Sequence, residues 1–143
     1  MLGINLKMNI FLLLVMTIST AVAQDYFVRI NSITPTNYEK NLFGQLKTCD
    51  FQIDWSLMDA DQEIEDVSSF NFRVYVLGDR DSRDILEIAA VGDTTRHTIA
   101  DQETFKDYYF KVEALDDNNK TIANSNIQKS RGGSQAGDVS SAR

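Results

Sequence analysis

Cysteine, histidine, proline and tryptophan each occur once in this chain, and each scarcity excludes something. A lone Cys49 cannot build a disulfide framework. It is expected to be a buried thiol acting as a small hydrophobe, with a bridge between chains as the alternative. A lone His97 leaves zinc without its ligand set; between Thr95 and Ile99 it reads as a structural or surface imidazole. No Gly-x-Ser-x-Gly elbow and no Gly-rich phosphate loop occurs. Acids do gather at Glu63, Glu65 and Asp66 and at Asp116 and Asp117, but in loop-like stretches where nothing drives their pKa values apart. No catalytic residue, no cofactor and no metal site is therefore expected, and the chain reads as a non-enzyme.

Basic residues are also few. Lysine and arginine number 14 against 21 acids, for a formal net charge of −7. They form no run, which disfavours nucleic acid and anionic lipid as partners, since both need clustered positive charge.

Only one long apolar run exists. Ile10 to Ile18 follows Lys7 and precedes Ala21-Val22-Ala23. A positive start, a short hydrophobic segment and a small-x-small end describe a secretory signal peptide at 1–23 rather than a membrane anchor. Nothing later is apolar enough to span a bilayer as a helix. The expectation is a secreted, extracellular protein with no membrane contact in its mature form. Residues 24–129 form one domain of ordinary size, and the Gly-, Ser- and Ala-rich tail 130–143 is expected to be disordered.

What the domain does contain is alternation. In Thr48–Ser56, Cys49, Phe51, Ile53 and Trp55 alternate with Asp50, Gln52 and Asp54, the period of a strand with one face in a core. Similar patterns occur at 70–77 (Phe72, Val74, Val76), 95–99 and 108–114 (Tyr108, Phe110, Val112, Ala114), and 26–33 and 121–128 also read as strands. The stretch 85–91 could pass for a short helix on propensity, but its length and the Gly92-Asp93 stop favour a strand. Thr34-Pro35 is expected to end the first of these, because proline cannot donate to a ladder. Leu42 and Phe43 are expected to tuck beneath an edge. The acid-rich stretch 57–69 lacks the glycine and the closing glutamate of a calcium loop in register, so it reads as a solvated loop. Asp116–Lys120 is a hairpin turn by composition.

Seven short strands without a helix indicate an antiparallel sandwich. Ile53-x-Trp55, Phe72-x-Val74-x-Val76, Thr95-x-His97-x-Ile99, Tyr108-x-Phe110-x-Val112-x-Ala114 and Ser125 together resemble a fibronectin type III domain over residues 26–129. The resemblance implies an all-β, seven-stranded, antiparallel immunoglobulin-like sandwich. It implies too that Tyr108 is a tyrosine corner, its hydroxyl bonded to the backbone just upstream. Gln102-Glu-Thr-Phe-Lys-Asp stands where the family carries Leu-x-Pro-x-Thr, and a proline-rich first strand is missing. The structural core is expected around Trp55, Tyr108, Ile53, Phe72, Val74 and Val112.

A scaffold of this kind implies recognition of an extracellular protein or a matrix component through edge strands and end loops, first among them 57–69, 78–84 and 115–120. A self-associating structural protein is the alternative. Asn119-Lys120-Thr121 is the only Asn-x-Ser/Thr sequon among these residues and makes Asn119 the glycosylation candidate.

Overall fold

The structure, a computed structural model, describes residues 25–133. The expected signal peptide, and the tail beyond Gly133, lie outside the described residues. Nine extended segments follow one another within them: β1 (Tyr26–Lys40), β2 (Leu46–Asp59), β3 (Gln62–Glu63), β4 (Asn71–Leu77), β5 (Ile85–Gly92), β6 (Arg96–Glu103), β7 (Asp107–Leu115), β8 (Thr121–Asn124) and β9 (Gln128–Arg131). The described residues are all-β, and every pairing is antiparallel.

Two sheets form. In one, β2 lies between β1 and β6, and the two-residue β3 pairs the far end of β2 on the side of β6. In the other the order is β5-β4-β7, and β8 and β9 share the remaining edge of β7 end to end. The sheets face each other in a sandwich-like arrangement.

The apolar phase of each strand explains the core. Cys49, Phe51, Ile53, Trp55 and Leu57 of β2 meet Phe72, Val74 and Val76 of β4 and Tyr108, Phe110, Val112 and Ala114 of β7; Val28, Ile30, Ile99 and Ala123 complete the cluster. Trp55 packs on Phe72 across the sheets with ring centroids 5.7 Å apart. Phe51 meets Tyr108 edge-on at 5.8 Å and Phe110 at 5.2 Å. Aromatic contacts of this geometry add about 0.5–1.5 kcal/mol each beyond the area they bury.

The hydroxyl of Tyr108 accepts a hydrogen bond from the backbone N–H of Glu103 at 3.0 Å. That bond ties the start of β7 to the end of β6 across the turn at Thr104 and Phe105.

Several expectations are corrected. Pro35 does not end the first strand; it lies inside β1 opposite Phe51. Because β1 pairs on one side only, it tolerates a residue that cannot donate. Leu42 and Phe43 do not tuck under an edge: they are 102% and 88% exposed at the turn between β1 and β2. The stretch 57–69 is not wholly a solvated loop. Leu57 and Met58 are buried in β2, and Ile64 and Val67 pack on the core. The strand expected at 95–99 runs on to Glu103 in β6.

The boundary at residue 129 falls too early. Ser130 and Arg131 pair with Tyr108 and Asp107, and Arg131 Nε donates to Asp107 Oδ1 at 2.8 Å. Gly132 is buried against the Cys49 thiol and Phe51. The last expected strand, 121–128, is broken at Ser125, whose Oγ accepts the Val112 N–H at 2.8 Å.

Two substitutions test this packing. Tyr108→Phe strands the Glu103 N–H and is expected to cost about 1–2 kcal/mol in chemical denaturation. Gly132→Ala drives a methyl group into Cys49 Sγ and is expected to cost about 1–3 kcal/mol. Combining it with Cys49→Ala should recover part of that loss, because the two changes share one space.

Candidate functional site

The single cysteine lies in the core and the single histidine on a strand face. Cys49 is fully buried, and burial, with the Asp50 carboxylate adding to it, pushes its thiol pKa up. A nucleophile needs the opposite shift. Burial also keeps the thiol from reaching a second chain. His97 is half-buried on β6 across from Ile53. Among the described residues no group of three or more His, Cys, Asp or Glu side chains converges as metal ligands would.

The register sorts the loops into two ends. The segments around 60–70 and 116–120 meet at the end where β1 begins, since Tyr26 is opposite Asp59 and Asn71 is opposite Leu115. The turn 78–84 lies at the other end, where β4 gives way to β5 and Leu77 is opposite Tyr109. The three loops singled out from composition therefore do not form one surface. Asn119 stands on the β7–β8 turn, exposed, with φ +61°.

The exposed apolar residues choose a different place. At the same end as 78–84, the β1–β2 hairpin projects past its last pair, Lys40 opposite Leu46. Its tip is built by Asn41. The Asn41 Oδ1 accepts the N–H groups of Phe43 at 2.9 Å and Gln45 at 3.0 Å, and its own N–H donates to the Gln45 carbonyl at 2.8 Å. Gly44 takes φ +76°, a conformation open to glycine at little cost.

This tight turn leaves Leu42 and Phe43 nowhere to fold back. Lys40 and Lys47 flank a shallow groove beside them. Tyr38 and Phe105 are also exposed, and the Tyr38 hydroxyl accepts the Gly133 N–H at 2.9 Å. Size and apolarity lead to the expectation of Leu42 and Phe43 beneath an edge, because strand period carries no sign of which way turn side chains face. A clearer cue was Asn41 placed three residues before Gly44, an Asx-type turn that presents the residues between them.

The outer face of β2 is polar and tightly bonded. Asp50 accepts Asn37 Nδ2 at 3.0 Å and the Asp101 N–H at 3.1 Å, and these bonds lower its pKa. Both partners sit in left-handed backbone, with φ +48° and +57°, so Asp50 pins an irregularity on each neighbouring strand. For Asp54, burial pushes the pKa upward but is outweighed by hydrogen bonds from Arg96, Gln52 and Ser32. Asp107 is lowered chiefly by its bond to Arg131.

Comparison with protein-family models finds no match, and comparisons with curated proteins and with solved structures find no significant one.

These lowered carboxylates, together with Asp66, which the Ser68 side chain and N–H hold low, set an acid limit. A carboxylate whose folded pKa lies below its unfolded value of about 3.9 contributes stability that is present above that value and lost as pH falls through the folded one. Unfolding free energy is therefore expected to drop below about pH 4. Asp54→Asn should make the drop shallower, as read from denaturation curves across that range.

Proposed function

We propose that this chain is a secreted, non-enzymatic binding module of fibronectin type III-like architecture that recognises an extracellular protein or matrix component. The observation that carries the reading is the hairpin tip. Two large apolar side chains, Leu42 and Phe43, stand almost fully in water on a turn closed by the hydrogen bonds of Asn41. An aromatic and an aliphatic anchor presented this way can fill a partner's pocket with little ordering cost.

Strand order supports the architecture. With β3 continuing the line of β6, and β8 and β9 sharing one edge, seven strand positions remain, three in one sheet and four in the other. The Tyr108–Glu103 bond has the form of a tyrosine corner. Exposure of Asn119 on its turn supports glycosylation there when the protein passes through a glycosylating pathway.

The test compares the chain and its Leu42→Ser/Phe43→Ser variant as baits in extracellular fluid. Both side chains are exposed, so the variant is expected to unfold at the same temperature as the parent within about 2 °C. A partner held by the parent should be lost by the variant. Equal retention by both would remove the tip from the reading.

A further inference from the structure

A sandwich has four open edges, and three of these are blunted. On β1, Pro35 removes a donor, Asn37 turns left-handed, and the register slips between Ile30 and Ser32 and again between Thr36 and Glu39. The edge formed by β6 and β3 is interrupted between Glu63 and Arg96, turns left-handed at Asp101 and is rich in charge. The edge formed by β8 and β9 is broken at 125–127 and carries Lys129 and Arg131. Proline, bulges, short strands and charge are the usual protections against pairing with another chain.

The β5 edge has fewer of these: one charge, and register slips at Leu86 and Val91 that leave 87–90 regular. It is Ile-Leu-Glu-Ile-Ala-Ala-Val-Gly, with Glu87 as its one charge, and it pairs with β4 alone. Its register irregularities lie near the two ends, between the partners of Phe72 and Arg73 and of Val76 and Leu77. Ile85, Leu86 and Ile88 are 44–50% exposed. Ile88 is opposite Tyr75 and Ala90 is opposite Arg73, so Ile88 and Ala90 share the outer face of that sheet, and Leu86, at the slip between Ile85 and Glu87, adds an exposed apolar side chain beside them.

We propose that β5 is a self-docking edge, and that its occupant is β5 of a second copy, antiparallel across a two-fold axis at Ile88. The sequence is self-complementary in that register. Ile88 meets Ile88 and Glu87 meets Ala89 rather than its own copy, and outside this regular stretch Leu86 and Ile85 come alongside the apolar Ala90 and Val91. Directly paired residues must share a face, so the axis has to pass through a residue. An axis at Glu87 would oppose two carboxylates. An axis at Ala89 would draw in Gly92, which leaves the strand conformation with φ +68°. The contact is isologous, so one pairing satisfies both copies. The other edge of the same sheet is broken and charged, so growth stops at two and the assembly is a dimer rather than a fibre.

Sedimentation of the full chain, as cells produce it, tests this. The parent is expected to dimerise reversibly, while Ile88→Lys and Ile88→Glu, each placing like charges on the axis, should weaken self-association by about 100-fold or more. Mixed in equal amounts, the two variants should pair again, because lysine then meets glutamate. Ile88 is half-exposed, so both variants should keep the parent's near-ultraviolet circular dichroism. If either does not, Leu86→Lys, which comes alongside Ala90, takes its place and is expected to weaken the dimer.

A parent that stays monomeric to about 1 mM, a charged variant that stays dimeric, a mixture that does not re-pair, or open-ended growth would each overturn the proposal. The Leu42→Ser/Phe43→Ser variant should dimerise like the parent, which keeps this inference separate from the role of the hairpin tip.

Discussion

The fold depends on the alternation of β2. Its inward phase, from Cys49 to Leu57, supplies the floor on which both partner strands of the opposite sheet rest, with Trp55 against Phe72 and Phe51 against Tyr108 and Phe110. A shift of one residue would turn Asp50, Gln52 and Asp54 into the core, at a cost no small domain could bear. That constraint fixes the pairing of β1 and β6 on either side, and through the cross-sheet rings it fixes where β4 and β7 lie.

Polar chemistry on the opposite phase then secures what the core leaves loose. Asp50 holds two left-handed residues on neighbouring strands, and Asp107 holds Arg131 and Lys129 at the last strand. On the outer face of the other sheet, Glu113, almost buried, accepts the Tyr75 hydroxyl at 3.3 Å and pairs with Arg73 at 3.3 Å. Each of these acids lies beside a bulge, a strand end or a central strand, where the ladder alone would leave room for slippage.

The strands were legible in the chain because period two is a local signal, and the paired phases of 48–56, 70–77 and 108–114 carry it. What was not legible depended on context. Pro35 breaks a strand flanked on both sides but not an edge, and the letters do not say which strand is an edge. Leu42 and Phe43 read as core because they are large and apolar, whereas the turn built by Asn41 faces them outward. Gly132 lay in a stretch with little to bury, yet lacking a side chain is what lets it close over Cys49. The exposed apolar side chains of β5 could not be anticipated either, since exposure there follows from strand order.

The path of the chain through the sandwich has a mechanical side. Asp25 accepts the Ala60 N–H at one pole, and Gly133 donates to Tyr38 near the other. Force applied through these two points would run along the strands, loading the β1–β2 and β7–β9 ladders in shear, so that many hydrogen bonds must yield together rather than one after another. A domain strung this way between two attachments would resist stretching far better than one whose ends emerge side by side.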